Sequence, residues 1–145
     1  AALPIIEDVM QATGKEARTR GTIVIGTVSG DIHDIGKSMV SALLIALGFR
    51  VIDLGTDVPT QKFLETIKAE KVDILALSAL LTTTAAQQKD VIEQVDKLGI
   101  RDTIKIMVGG GAVNADFAAS IGADGYGETA AEGVTIAKEL LGIDS

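Results

Sequence analysis

Five short apolar stretches, rich in β-branched residues, alternate along the chain with amphipathic stretches. Each apolar stretch is hydrophobic almost throughout, which is typical of strands buried on both faces of a parallel sheet. The alternation predicts repeated βαβ units, and therefore an α/β domain with a doubly wound, five-stranded parallel sheet. The predicted strands are Thr22–Val28, Arg50–Leu54, Asp73–Ala79, Ile104–Val108 and Ala123–Tyr126.

The amphipathic stretches predict helices on the two faces of this sheet. The first, Ser38–Leu47, repeats apolar residues at helical spacing and ends at Gly48, which suits the left-handed conformation of a helix C-terminus. Asn114 and Thr129 are predicted to cap the last two helices. The later helices are expected at Pro59–Ala69, at Ala85–Leu98, from Asn114 to Gly122 and from Thr129 to just before Gly142.

Residues 3–13 show a further helical pattern of apolar residues, but they precede the first strand and have no strand of their own. We therefore expect two parts in the chain. Residues 1–20 are predicted to form a helical stub that ends a larger helical region, and residues 21–145 to form the α/β domain.

The composition narrows the classes of function. The chain has 145 residues, of which 47% are hydrophobic, and this is enough for the core of one domain. Its net charge of -7 argues against nucleic acid and against a membrane surface as partners, because both attract clustered Lys and Arg. It contains no cysteine, which excludes disulfides and thiolate metal sites and fits a cytoplasmic location.

Open parallel sheets bind ligands beyond the carboxyl ends of their strands, so the loops after the strands are the candidate site. The loop 29–38 follows the first strand and contains Asp31 and His33, the only histidine of the chain. Hydroxyl residues Thr82–Thr84 follow the third strand, and Gly109–Gly111 follows the fourth.

Three kinds of site fit these loops poorly. Gly36-Lys37-Ser38 matches the end of a phosphate-binding loop, but Asp31 stands where that motif needs its first glycine and would repel a phosphate. One histidine with adjacent carboxylates supplies too few ligands for a zinc site. A phospho-acceptor switch needs a carboxylate at the end of the third strand, where this chain has Ser78.

Asp31 and His33 together suit a different chemistry. They are separated by one residue, so both side chains can face the same side of the loop. A metal-bound imidazole generally passes its second N–H to a carboxylate, which fixes the tautomer of the ring. The pair is therefore competent for one axial bond to a metal held by a macrocycle. A hydroxyl of Thr82, Thr83 or Thr84 can in turn hold the carboxylate.

In these loops the chain resembles the cobalamin-binding (corrinoid) proteins of anaerobic methyltransferase systems, which carry an Asp-x-His-x-x-Gly signature. The resemblance extends over about residues 3–141 and implies a flavodoxin-like (Rossmann-like) fold. The matching residues are Asp31, His33 and Gly36 in the signature, Ser78 and Leu80 in a second element, and Gly109 and Gly110 in a third.

The resemblance implies that cobalamin or a related corrinoid binds with its own nucleotide base displaced from cobalt and with His33 as the metal ligand instead. Asp31 and Thr84 then form a relay behind His33, and these three residues make up the catalytic set. The nucleotide tail is expected in a slot between the loops after the first and third strands. The expected cofactor contacts are Gly30, Asp31, Ile32, His33, Asp34, Ile35, Gly36, Ser78, Leu80, Thr82, Thr83, Gly109, Gly110, Tyr126 and Gly127.

The resemblance also implies a methyl carrier that is not catalytic alone. Such a protein passes a methyl group from a substrate:corrinoid methyltransferase to a second methyltransferase. A reductive activase is a further expected partner, and an open apolar corrin face favours a homodimer or a docked partner. Relatives carry an N-terminal helical cap over the corrin, and residues 1–20 are interpreted as the end of such a cap.

The residues leave other interpretations open. The cobalamin-binding subunit of a radical mutase shares the fold and the signature. A module that senses cobalamin for regulation is a further alternative, and it would need a DNA-binding or signalling domain. Thr84 also suits the N-cap of the third helix, and Gly109–Gly111 also suits a flexible turn.

Overall fold

The computed structural model describes residues 21–111, 113–127 and 129–142. The strands are β1 Thr22–Thr27, β2 Arg50–Asp53, β3 Ile74–Ser78, β4 Lys105–Gly109 and β5 Gly125–Gly127. They form one all-parallel sheet in the order β2-β1-β3-β4-β5, which confirms the predicted fold class. The predicted helix 3–13, and with it the helical stub 1–20, lies outside the described residues.

Helices follow the strands on both faces of the sheet. Asn114 and Thr129 cap the last two helices as predicted, each accepting a backbone N–H of the first turn. Within the described ranges, no helix combines the length and the hydrophobicity needed to cross a bilayer. The helices are α1 Ile35–Ala46, α2 Thr60–Ala69, α3 Thr82–Lys97, α4 Ala115–Ser120 and α5 Ala130–Leu140.

The first helix begins one turn earlier than predicted. Helix α1 starts at Ile35 rather than at Ser38, because Ser38 lies inside its first turn. There the Ser38 backbone N–H donates to the Asp34 carbonyl, and the Ser38 hydroxyl donates to the Asp34 carboxylate. A hydroxyl residue that bonds backwards in this way does not mark the start of a helix.

The third helix and the fifth strand also depart from the prediction. Helix α3 starts at Thr82 rather than Ala85, since the threonines form its first turn and the Thr84 hydroxyl accepts the Leu81 N–H. Strand β5 is shifted towards its glycines, which let it lie against the backbone of α5. A Cβ on Gly127 would stand 2.8 Å from the Gly133 Cα.

The alternation of strand residues divides the core between the two faces of the sheet. One core layer lies between the sheet and helices α2, α3 and α4, and it includes Phe63 of α2 and Leu75 of β3, both fully buried. The other face packs under α1 and α5 and includes Ile25, Ala76 and Met107. Ala76 is a small residue at the centre of this second face, so the layer beneath α1 and α5 is thin at that point.

The ends of β3 and β4 meet in close backbone contact at Gly110. This residue has a φ of 119°, which favours glycine, and a Cβ there would collide with the carbonyl oxygen of Ala79. Gly109 is similarly close to β5, since its Cβ would stand 2.9 Å from the Gly127 carbonyl oxygen. The glycines after β4 therefore bring three strand ends together.

Gly110→Ala is expected to destabilise the fold by about 3 kcal/mol or more, combining the left-handed backbone with a steric clash. Gly122→Ala is the matched control, because Gly122 has a φ of 84° and no atom within 4 Å of its Cβ position. It should cost about 1–2 kcal/mol, from the backbone alone. Urea unfolding of both variants measures the difference, and equal losses would show that the Ala79 contact is unimportant.

Candidate functional site

A cavity of about 230 Å³ opens at the carboxyl edge of the sheet, between the sheet and helices α1 and α5. Its wall contains many of the predicted site residues, which lie at the ends of β3, β4 and β5, at the start of α1, and in the loops after β1, β3 and β4. These are His33, Gly36, Ser78, Leu80, Gly109, Gly110 and Gly127.

Other predicted contacts lie around the cavity rather than in its wall. Most of them surround His33 or begin helix α3: Gly30, Asp31, Ile32, Asp34, Ile35, Thr82 and Thr83. Tyr126 packs against the core on the opposite face of the sheet, because strand alternation turns it away from its neighbour Gly127. The structure therefore separates Tyr126 from the cavity.

The floor of the cavity was not predicted. It includes Ile25, Ala76 and Met107, which occupy the face of the sheet beneath α1 and α5. The two helices add Val40 and Gly133. The sequence signal that could have identified the floor is the alternation of side chains along a strand. Once the topology is known, this alternation assigns Ile25, Ala76 and Met107 to one face of the sheet.

His33 is held at three points beside this cavity. Its ring Nδ1 lies 2.6 Å from Asp31 Oδ1, and its backbone N–H donates to the same oxygen over 3.0 Å. The Thr27 hydroxyl donates to the His33 carbonyl oxygen over 2.8 Å. The side chain remains half-exposed, at 49%. With Nδ1 bound to the carboxylate, Nε2 is the ring nitrogen that an incoming group can reach.

Asp31 is completely buried, and its second oxygen is also bonded. Oδ2 accepts the Leu80 N–H and the Thr84 hydroxyl, each over 2.7 Å. Burial alone raises the pKa of Asp31, but hydrogen bonds from Leu80, Thr84 and His33 outweigh it and hold this pKa well below its usual range. Asp31 is therefore an ionised acceptor, and His33 Nδ1 carries the proton between them.

Only one of the three threonines reaches this carboxylate. Thr84 is buried, whereas Thr82 and Thr83 are exposed at the start of α3. The Thr84 hydroxyl donates to Asp31 and accepts the Leu81 N–H, so it supports the carboxylate and the first turn of α3 together. The proposed N-cap role is wrong, because the N-cap residue is Leu81 and Thr84 is the third residue of the helix.

Large apolar side chains surround the half-exposed imidazole. Ile32 and Ile35 flank His33 along the chain and are 75% and 79% exposed. Leu80 and Leu81 follow β3, next to Asp31, and are 42% and 44% exposed. Such a group of exposed apolar residues marks a binding surface.

Comparison with known proteins places this geometry in a family. Dimethylamine corrinoid protein 3 of Methanosarcina mazei is 48% identical over 141 residues, which cover 97% of this chain and 84% of that protein. A cobalamin-binding protein from Desulfitobacterium hafniense has a TM-score of 0.81 and 34% identity, over 92% of this chain and 65% of the other. A chain of the methanol:cobalamin methyltransferase complex MtaBC from Methanosarcina barkeri has a TM-score of 0.84 and 40% identity, over 97% of this chain and 54% of the other.

This chain thus spans 54–84% of the length of these three relatives. A family model described as the B12 binding domain matches residues 21–135. The resemblance inferred from Asp31, His33 and Gly36 is confirmed. The chain belongs to the B12-binding domain family.

Proposed function

We propose that this chain binds a corrinoid through His33 Nε2 and carries a methyl group between methyltransferases. The observation that carries the proposal is the 2.6 Å contact between His33 Nδ1 and the buried Asp31 carboxylate. A carboxylate on Nδ1 fixes the tautomer that leaves a lone pair on Nε2, and it raises the basicity of that nitrogen toward a metal. A solvated loop histidine does not require a buried charge behind it.

The empty space at Gly36 supports a ligand in the cavity. Gly36 is the second residue of α1 and lines the cavity wall, and apart from its own helix backbone no atom of the described residues lies within 4 Å of its Cβ position. Its backbone is not left-handed, so neither packing nor conformation within the chain requires glycine there. A helical glycine weakens the helix relative to alanine, which suggests that a bound group needs the room.

The exposed apolar side chains around His33 and the cavity between α1 and α5 would each bind a different part of the cofactor. The flat corrin ring would lie on the exposed side chains around His33, with Ile32 and Leu80 beneath it. The nucleotide tail would enter the cavity between α1 and α5, past Gly36 and toward Ala76 and Met107. This slot lies deeper than the one expected from the loops alone, because the sheet and two helices supply its floor.

A bound corrinoid supplies the cobalt that accepts and releases the methyl group. The chain would supply the imidazole of His33 as a metal ligand and the groups that hold this imidazole. Asp31 would hold the His33 Nδ1–H, so that Nε2 keeps its lone pair for the metal. Thr84 and the Leu80 N–H keep Asp31 ionised throughout.

The partners are inferred from the relatives. Dimethylamine and methanol stand in the names of two of them, so we infer that a substrate-specific methyltransferase loads this chain and that a second methyltransferase unloads it. Neither partner activity is expected from the chain alone, since its residues only bind and orient the cofactor. A reductive activase and a homodimer stay predictions that rest on the family resemblance.

Replacing His33 by Ala is expected to weaken cobalamin binding by about tenfold or more, since the axial bond is lost. Anaerobic reconstitution with methylcobalamin, followed by absorbance spectroscopy, measures both the affinity and the axial ligand. Added imidazole should restore the wild-type spectrum by occupying the vacated position. Identical spectra for wild type and His33→Ala would contradict the proposed ligand.

The variant Gly36→Ala tests whether the space beside Gly36 is needed for the cofactor rather than for the stability of the fold. The apo variant should be as stable as wild type or up to about 1 kcal/mol more stable, because alanine favours the helix and its methyl group clashes with none of the residues that the structure describes. Its affinity for cobalamin should nevertheless fall. Cobinamide, a corrinoid without the nucleotide tail, is the control ligand and should bind both proteins equally. Unchanged cobalamin affinity would exclude the tail from this cavity.

Asp31→Asn is expected to change the acid stability of the apo protein. The depressed pKa of Asp31 contributes stability that is fully present above about pH 4, the ordinary aspartate value, and is lost as the pH falls through the lower folded pKa. The variant should lose roughly 1–3 kcal/mol at pH 7, and its stability should depend less on pH below 4. Urea unfolding at several pH values tests this, and parallel profiles would argue against an ionised Asp31.

A further inference from the structure

Lys37 is a buried cation that the proposed function does not use. Its side chain is 3% exposed, and its Nζ lies 2.7 and 2.8 Å from the two carboxylate oxygens of Asp53. The Asp34 carboxylate is a second partner at 2.9 Å. Burial alone lowers the pKa of Lys37, but the bonds to Asp53 and Asp34 outweigh it and raise this pKa, so the amine stays charged.

This cation joins two segments that are distant in the sequence. Asp34 directly follows His33 and is the N-cap residue of α1, whereas Asp53 ends β2. Lys37 therefore fixes the residue next to the imidazole against the edge strand of the sheet. Asp53 is itself held in place, since its Oδ1 also accepts the Gly55 N–H over 2.8 Å.

The loop 54–58 after β2 makes a second attachment to the same segment. The Asp57 N–H donates to the Asp31 carbonyl oxygen, and the Gly30 N–H donates to Asp57 Oδ1, each over 2.7 Å. Asp57 adopts a φ of 53°, and it is the non-glycine residue with a left-handed backbone in the described part of the chain. A strained backbone of this kind persists where the surrounding contacts hold it.

Backbone hydrogen bonds also join the loop 54–58 to the end of β1. The Thr27 N–H donates to the Gly55 carbonyl oxygen, and the Val58 N–H donates to the Thr27 carbonyl oxygen, each over 2.9 Å. Thr27 is the residue whose hydroxyl holds the His33 carbonyl. The loop after β2 thus contacts the His33 segment through Gly30 and Asp31 and also contacts Thr27, whose hydroxyl holds the His33 carbonyl.

Lys37 lines the cavity wall, but Asp53 and Asp57 do not, so contact with a ligand in the cavity does not explain these two carboxylates. Stability alone explains the ion pairs poorly as well, because Asp34 and Asp53 are 55% and 33% exposed and ion pairs with exposed carboxylates contribute little. What an ion pair adds is a defined geometry. Lys37 Nζ has three donors, and the three carboxylate oxygens around it specify where Asp34 and Asp53 lie.

We propose that Lys37 is a positioning residue for His33, and that with Asp53 and Asp57 it forms a platform holding residues 30–34 in the metal-binding geometry. The inference rests on the proposed function for its effect on the metal, whereas its effect on the loop can be measured without cofactor.

The test compares Lys37→Met with Arg101→Met. Methionine keeps the buried stem of Lys37 and removes its charge. Arg101 is a matched control, because its partly buried side chain pairs with Asp124 over 2.9 Å at a site away from the cavity wall. Asp57→Gly is the second test variant, since it removes the acceptor of the Gly30 N–H and suits the left-handed backbone.

Two readouts are needed. Hydrogen exchange of the apo proteins should show amides 30–34 exchanging about tenfold faster in Lys37→Met, and faster than wild type in Asp57→Gly, while Arg101→Met matches wild type there. In proteins grown with nitrogen-15 histidine and loaded with unlabelled cob(II)alamin, electron spin resonance should show a smaller fraction of cobalt with the nitrogen-15 doublet in both test variants than in Arg101→Met. Lys37→Arg should restore part of this fraction.

Unchanged exchange and an unchanged nitrogen-15 doublet in the test variants would overturn the inference, and so would equal effects in Arg101→Met. Should Lys37→Met fail to fold, Asp57→Gly decides the question with the same two readouts. Absence of the nitrogen-15 doublet in the labelled wild-type protein would instead overturn the proposed function. The exchange rates of the apo proteins would then still show whether the platform orders the loop.

Discussion

The side chain of Asp31 carries a negative charge with no exposure to solvent, and a buried charge is tolerated only where hydrogen bonds replace the lost water. Four donors meet this requirement: the His33 backbone and ring, the Leu80 backbone and the Thr84 hydroxyl. They come from the loop after β1 and from the start of α3. The same charge therefore fixes both the orientation of the His33 imidazole and the position of the segment that contains Leu80.

The sheet order explains why these groups meet. Strand β1 lies between β2 and β3, so its outgoing loop contacts the Asp57 loop on one side and the Leu80 segment on the other. Glycines then bring the ends of β3, β4 and β5 into backbone contact. Gly36 differs from these glycines, because no other segment of the described part of the chain fills the space beside it. Packing within the chain and room for a ligand thus require glycine at different positions.

Much of this arrangement could be predicted from local sequence. Buried parallel strands have a continuous apolar pattern, and the resemblance based on Asp31, His33 and Gly36 led to the correct family, the B12-binding domain. The floor of the cavity, the Lys37 pair and the support from Asp57 could not be predicted, since each depends on contacts between segments that are distant in the sequence. The predicted starts of α1 and α3 were wrong because of Ser38 and the threonines. A hydroxyl residue can form hydrogen bonds within the first turn of a helix as well as cap it.

The central claim is that the imidazole of His33 is the axial ligand of a corrinoid cobalt, and the chain allows a direct test because His33 is its only histidine. Protein grown with nitrogen-15 histidine is loaded with unlabelled cob(II)alamin, and its electron spin resonance spectrum is compared with that of unlabelled protein. Coordination by His33 predicts that the triplet splitting from nitrogen-14 becomes a doublet. A triplet that persists in the labelled protein would show that the cofactor's own base binds the cobalt, and would contradict the account.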